Sequence, residues 1–200
     1  MSEEFTFRQG EAQDAPFLSK CITQVSGGVV EALLGELLPN IAAQDLLLTV
    51  VQDASSHYSY QNCILACMGP TPKGLLFAYP AEAQVIPPLL SAMVPKARIT
   101  PFVDILTAAV PESLYINTLW VAEELRGHGL AKALLNFAKS WAQSLNLTSL
   151  SLFVLQENVR AKAFYLREGF KKVRSVQVPE VIFAQHGGGE LLRAELNPCG

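Results

Sequence analysis

Apolar residues recur along this chain at two spacings, and the switches between them mark out its elements. Phe5-Thr6-Phe7-Arg8 alternates apolar with polar and predicts a short first strand. Behind Asp14, the apolar positions Phe17, Leu18, Cys21, Ile22 and Val25 fall at helical spacing. Asp14 suits a cap or first-turn position there, and Gly27-Gly28 is a stop. A second helical run extends from about Val29 to Leu38 and ends at Pro39; a third, with Asn40 as its cap, reaches about Val51. Ser59–Met68 and Lys73–Tyr79 are strand-like runs around Gly69-Pro70-Thr71-Pro72, which predicts a β-hairpin. Residues 81–111 break this regularity with Pro87, Pro88, Pro95, Pro101 and Pro111. Helical pieces are expected near Leu89–Val94 and Pro101–Ala109, as an insertion that either covers a substrate pocket or packs irregularly.

The second half is more regular. Leu114–Val121 reads as a strand, and Leu130, Leu134, Ala138, Trp141 and Leu145 recur along one face of a helix from Gly129 to about Leu145. Ser149–Leu155 is a buried-strand pattern, Asn158 caps a helix that stops at Gly169, and Phe170–Val178 and Glu190–Leu196 are closing strands around Gly187-Gly188-Gly189. The order is β, helices, ββ, insertion, then β-α-β-α-ββ. Its β-α-β part demands a parallel crossover and its hairpins demand antiparallel pairs. The expected class is α/β (α+β): one domain over residues 1–200, with a mixed sheet and helices on both faces.

Composition narrows the possibilities. Half of the 200 residues are hydrophobic, enough for one substantial core. A net charge of −3 gives no reason to expect a nucleic-acid partner. No apolar run reaches the roughly 20 residues of a membrane span, and Met1-Ser2-Glu3-Glu4 lacks the order of a signal peptide. The expectation is a cytoplasmic protein with no membrane contact. Cys21, Cys63, Cys67 and Cys199 lack the tight Cys/His grouping of a metal site and read as reduced thiols.

The chemistry centres on Leu119-Trp120-Val121-Ala122-Glu123-Glu124-Leu125-Arg126-Gly127-His128-Gly129-Leu130-Ala131, where a strand runs through a two-glycine turn into a helix. Glycines let the backbone bend sharply and approach a ligand, and a helix start offers unpaired N–H groups and a positive dipole end. That suits a phosphate. The dinucleotide fingerprint fails because Lys132 stands where its third glycine belongs, and the phosphate-loop pattern fails for want of Gly-Lys-Ser/Thr.

A third pattern fits. Arg126-Gly127-His128-Gly129-Leu130-Ala131, followed by Glu157-Asn158, Ala161, Phe164-Tyr165 and Gly169-Phe170, resembles the GNAT superfamily of N-acetyltransferases. The resemblance spans about a quarter of the chain. It implies a mostly antiparallel sheet of six to seven strands that uses acetyl-CoA as acyl donor and no metal. In the roles it implies, Leu119 and Val121, with Trp120 between them, pair with the pantetheine arm like an added strand. The amides of Arg126, Gly127, His128, Gly129, Leu130 and Ala131 hold the pyrophosphate. Asn158 bonds the arm or caps its helix, Ala161 and Phe164 pack the helix against sheet and cofactor, and Tyr165 protonates the departing thiolate.

The resemblance thins at the base. The family often carries an acid two residues before the position of Leu119, and here that residue is Asn117, which can orient an amine or a water but cannot take its proton. Glu112 is the replacement to test, Asp104 a weaker one, and His128 faces solvent or phosphate. The implied activity is transfer of an acetyl group to a primary amine of a small molecule or a peptide or protein, by a monomer or homodimer. The alternative is a non-catalytic acyl-CoA-binding sensor.

Overall fold

A computed structural model of the chain describes residues 5–196. Cys199 lies outside them. The chain opens with β1 (Thr6–Gln9) and three helices, α1 (Ala15–Val25), α2 (Val29–Leu34) and α3 (Ala43–Gln52). The hairpin β2 (Cys63–Met68) and β3 (Thr71–Pro80) follows, then the proline-rich insertion with the short helices α4 (Pro88–Met93), α5 (Lys96–Ile99) and α6 (Val103–Thr107). The second half runs β4 (Ser113–Val121), α7 (Leu130–Ser144), β5 (Ser149–Leu155), α8 (Val159–Arg167), β6 (Lys171–Val176), α9 (Glu180–His186) and β7 (Gly189–Glu195).

The strands form one seven-stranded sheet in the order β1-β2-β3-β4-β5-β7-β6. All neighbouring pairs are antiparallel except β4 and β5, which α7 joins as a parallel crossover. The mixed sheet expected from the pattern, mostly antiparallel as the resemblance implies, is the one observed.

Side-chain alternation along β3 shows how one sheet serves two cores. Leu75, Phe77 and Tyr79 face α1–α3 and the insertion, whereas Leu76 and Ala78 face α7. On that second face Leu134, Leu135 and Ala138 of α7 are completely buried against Leu114, Ile116 and Leu150. Tyr165 of α8 completes the layer beside Phe170, ring centroids 5.3 Å apart.

Several boundaries differ from the pattern, each for a local reason. The second helical run stops at Leu34 rather than Leu38, because Gly35 turns to ψ 141° and Glu36 takes a φ of 54°. Asn40 does not cap the third helix. It adopts a φ of 61°, and α3 begins after Ala42. The helix α9 carries no strong apolar period, yet Pro179, first-turn Glu180 and Gly187 in a left-handed conformation bracket it in the way helix ends are usually bracketed.

Asp14 sits at the start of α1, but its carboxylate does not cap that helix. It receives two bonds from Arg8 of β1, at 2.6 and 2.8 Å, and one from the Glu11 amide at 2.8 Å. The Arg8 hydrogen bonds hold the carboxyl below its ordinary range against the opposing effect of burial. A depressed folded-state pKa contributes stability above the unfolded value of about 4, lost as pH falls through the folded one. Asp14→Asn is therefore expected to cost about 1–2 kcal/mol at neutral pH, moderated because half-exposed Arg8 stays hydrated. Its stability, followed by urea denaturation, should fall less than the parent's below pH 4. Equal acid slopes for the two proteins would show that the pair does not act this way.

Candidate active site

The sheet opens in its middle. β4 and β5 pair only from Ser113–Ile116 against Ser149–Leu152. Beyond that point β4 stays with β3 as far as Val121, and β5 stays with β7 as far as Leu155. The cause lies in β4: Thr118 faces Phe77 and Ile116 faces Ala78, so Asn117 is one residue too many. Such a bulge bends its strand and sharpens the local twist. Leu119 and Val121 thus stand on a strand whose outer edge has no neighbour, beside the equally open end of β5.

A cavity of ≈220 Å³ occupies the opening. Its far wall is apolar, supplied by α1, α2 and α3 through residues such as Ile22, Val29, Leu33 and Leu47, and by the insertion through Leu90, Ile105 and Leu106. Its near wall carries the polar groups. Asn117 donates to the Tyr79 hydroxyl at 3.1 Å, Tyr79 donates to Gln84 Oε1 at 2.6 Å, and Thr118 donates to Asn117 Oδ1 at 3.0 Å. Asn117 is therefore clamped by its neighbours. Tyr58, Tyr115 and Tyr165 also line the cavity, and burial pushes each phenol up, so all three stay protonated.

Tyr165 projects from α8 into this space. Its ring is fixed by Phe164 and Phe170, both with centroids at 5.3 Å, and its hydroxyl makes no hydrogen bond among the described residues. A protonated phenol with a free donor, next to an opening between strands, is available to a ligand. Asn158 lines the same cavity and also caps α8, its Oδ1 accepting from the Ala161 amide at 3.2 Å. Ala161 lines the cavity too, whereas half-buried Phe164 packs in the α7-side core.

At the open end of β4 the glycine turn begins. Gly127 and Gly129 have φ of 89° and 88°, a region that side chains with a Cβ rarely enter, and a Cβ at either would meet nothing within 4 Å. The space in front of them is clear. Arg126 and His128 spend their amides on Glu123 and Leu125, but those of Gly127, Gly129, Leu130 and Ala131 have no backbone acceptor among the described residues. They lie at the start of fifteen-residue α7, where the helix dipole adds its positive end. The Leu130 side chain is buried in the core, so only its backbone faces outward. Exposed Arg126 holds its own Nε on Val121 O at 3.2 Å and leaves the guanidinium tip free. This donor set fits a phosphate group, and the unpaired strand edge beside it fits an extended chain of amides.

Three expected site residues lie elsewhere. The Trp120 side chain turns away from the opening, edge-on to Phe17 at 5.4 Å and bonded to Gln24 at 3.0 Å. Glu112 is an exposed turn residue before β4, with φ 58° and its amide on Glu82, and it does not line the cavity. Asp104 is bound in two places to Arg174, at 3.0 and 2.7 Å, and to the Gln177 amide at 2.6 Å, which ties the insertion to β6. The Tyr79–Gln84 pair and the α1–α3 wall carry no spacing signal that sets them apart from ordinary core positions. The four-residue spacing of Cys63 and Cys67 leads to no site. Both thiols are free and buried, as is Cys21, and no metal-binding group occurs among the described residues.

Residues 97–170, which hold the glycine turn and the Asn158–Phe170 block, match the acetyltransferase (GNAT) family. A solved structure described as an acetyltransferase shares 20% identity over 96% of this chain and 100% of its own, with a TM-score of 0.68. An N-acetyltransferase from Staphylococcus aureus Mu50 shares 20% over 94% of this chain and 100% of its own, at 0.71. The ribosomal-protein-S18-alanine N-acetyltransferase from Escherichia coli, at 12% identity, covers 98% of this chain and 97% of its own, at 0.59. Comparison with curated proteins finds no match. The likeness to these structures shows the acyl-CoA N-acyltransferase fold. Residues 97–170 thus carry the match to the acetyltransferase (GNAT) family, and the fold of the chain as a whole is that of these solved structures. None of its described helices is long and apolar enough to cross a membrane.

Proposed function

We propose that this protein transfers the acetyl group of acetyl-CoA to a primary amine by direct attack. The observation that carries the reading is the meeting of three parts at one opening: the parted edges of β4 and β5, the free amides of Gly127, Gly129, Leu130 and Ala131, and the unbonded Tyr165 hydroxyl. Acetyl-CoA supplies a thioester carbonyl that an amine can attack. The amides of Gly127, Gly129, Leu130 and Ala131, with Arg126 beside them, hold the pyrophosphate. The open edge of β4 at Leu119 and Val121 bonds the pantetheine amides, and Asn158 stands across from it at the start of α8. Insertion 81–111 covers the acceptor side through Leu90, Ile105 and Leu106.

The amine nitrogen bonds to the carbonyl carbon, the carbon–sulfur bond breaks, and Tyr165 supplies the hydrogen bond along which sulfur gains its proton. Its phenol, kept protonated by burial, is suited to that and unsuited to act as base. Since neither Glu112 nor Asp104 lines the cavity, we assign the proton leaving nitrogen to solvent water, and to Asn117 the orientation of the amine. Free thiol measured with acetyl-CoA and a panel of primary amines tests the reading: release should appear only when enzyme and a suitable amine are both present. Tight acetyl-CoA binding without thiol release across the panel would favour a sensor.

A further inference from the structure

The acceptor cavity has no charge in its wall. Among the residues that line it there is no Asp, Glu, Lys, Arg or His. Its polar groups are neutral and mostly committed: Asn117 to Tyr79, Tyr79 to Gln84, and Thr118 to Asn117. A second ammonium or a carboxylate on the acceptor would lose its water there and gain no counter-charge. An apolar body, in contrast, meets Ile22, Val29, Leu33, Leu47, Leu90 and Ile105. Volume sets the size. A dry apolar cavity of about 150 Å³ takes a benzene ring, so ≈220 Å³, shared with the acetyl group beside Tyr165, leaves room for one ring or one branched chain.

We propose that the acceptor is a small monoamine with an uncharged, apolar body, bound with its nitrogen at Asn117 and its body against α1–α3 and the insertion. This rests on the acetyl-transfer reading above and narrows it to a substrate class. The polar cluster decides between an amine and a long acyl tail as occupant. A tail would lay hydrocarbon over Asn117 and Thr118, whereas an amine presents a nitrogen to them. Polyamines, amino sugars and lysine side chains of proteins belong outside the class, because each brings further charge or many hydroxyls, or a bulky chain, to an apolar wall.

The test compares kcat/KM of the full chain, with acetyl-CoA as donor, for 2-phenylethylamine, isoamylamine, putrescine, glucosamine and a lysine-containing peptide. The two apolar amines should exceed the others by about tenfold or more. The uncharged isostere 2-phenylethanol should inhibit competitively with the amine and not with acetyl-CoA. Val25→Asp, which puts a carboxylate on a lining residue that is 40% exposed, should move the ratio of putrescine to isoamylamine upward. If Val25→Asp does not fold, the isostere experiment decides alone. Equal or better turnover of putrescine or the peptide by the unmodified protein overturns the proposal. So does a preference for hexanoyl-CoA over acetyl-CoA with 2-phenylethanol competing against the donor. Absence of acetyl-CoA binding would sink the donor reading and this one with it, whereas good turnover of charged amines sinks this one alone.

Discussion

Replacing Tyr165 with Phe is expected to lower kcat by roughly 10²- to 10⁴-fold while acetyl-CoA affinity stays within about twofold. The substitution removes one oxygen and leaves the ring, so the contacts to Phe164 and Phe170 at 5.3 Å remain and the α7-side core is undisturbed. What is lost is the donor. The hydroxyl makes no bond to any described residue, so its removal leaves no orphaned partner and should cost little stability. A hundredfold loss corresponds to about 2.7 kcal/mol of transition-state stabilisation, within reach of one well-placed hydrogen bond to a developing charge. Calorimetric titration with acetyl-CoA separates binding from chemistry. A kcat unchanged in Tyr165→Phe would remove this residue from the mechanism.

Gly129→Val should act on the other half of the site. Its φ of 88° is a conformation that a β-branched residue adopts at a cost of roughly 1–2 kcal/mol. Relief of that strain would swing the amides of Gly129, Leu130 and Ala131 out of convergence, and the added methyls would fill the clear space in front of them. Binding of acetyl-CoA is expected to weaken by roughly ten- to hundredfold, measured by calorimetry. The core should survive, because a Cβ at Gly129 meets no atom within 4 Å. Affinity equal to the parent's would mean that the pyrophosphate is held elsewhere.

Much of the fold was legible in the sequence because its signals are local. The apolar stripe of α7, the run of Ser149–Leu155 and the stop at Gly169 depend on neighbours within a turn or a strand. Where the structure departs from the pattern, the cause is either one residue's left-handed backbone, as at Glu36 and Asn40, or a contact that the apolar period does not carry. α9 is a short helix whose only fully buried apolar residue is Ile182, so its period was too weak to see. Asp14 looked like a helix cap and serves Arg8 instead, a partner from the preceding strand.

The site divides in the same way. Backbone devices leave residue-type traces, and Gly127, Gly129 and Asn158 are readable for that reason. The cavity walls leave none, since Ile22, Leu33 and Leu47 would be apolar whether they faced a core or a substrate. Asn117 was visible as a departure, but its role needed the bulge that places it at the parting of β4 and β5. Glu112 looked close in sequence. It precedes β4, at the end away from the glycine turn, and its amide is held by Glu82 of the insertion, a contact that no local pattern shows.

The most direct test of the account follows the acetyl group itself. The full chain is incubated with acetyl-CoA carrying a ¹³C-labelled acetyl group and with isoamylamine, and the products are weighed by mass spectrometry while thiol is counted. The account predicts one labelled N-acetyl amide formed for each thiol released, with both falling together in Tyr165→Phe. Thiol release without labelled amide, or labelled amide formed at the parent rate by Tyr165→Phe, would contradict it.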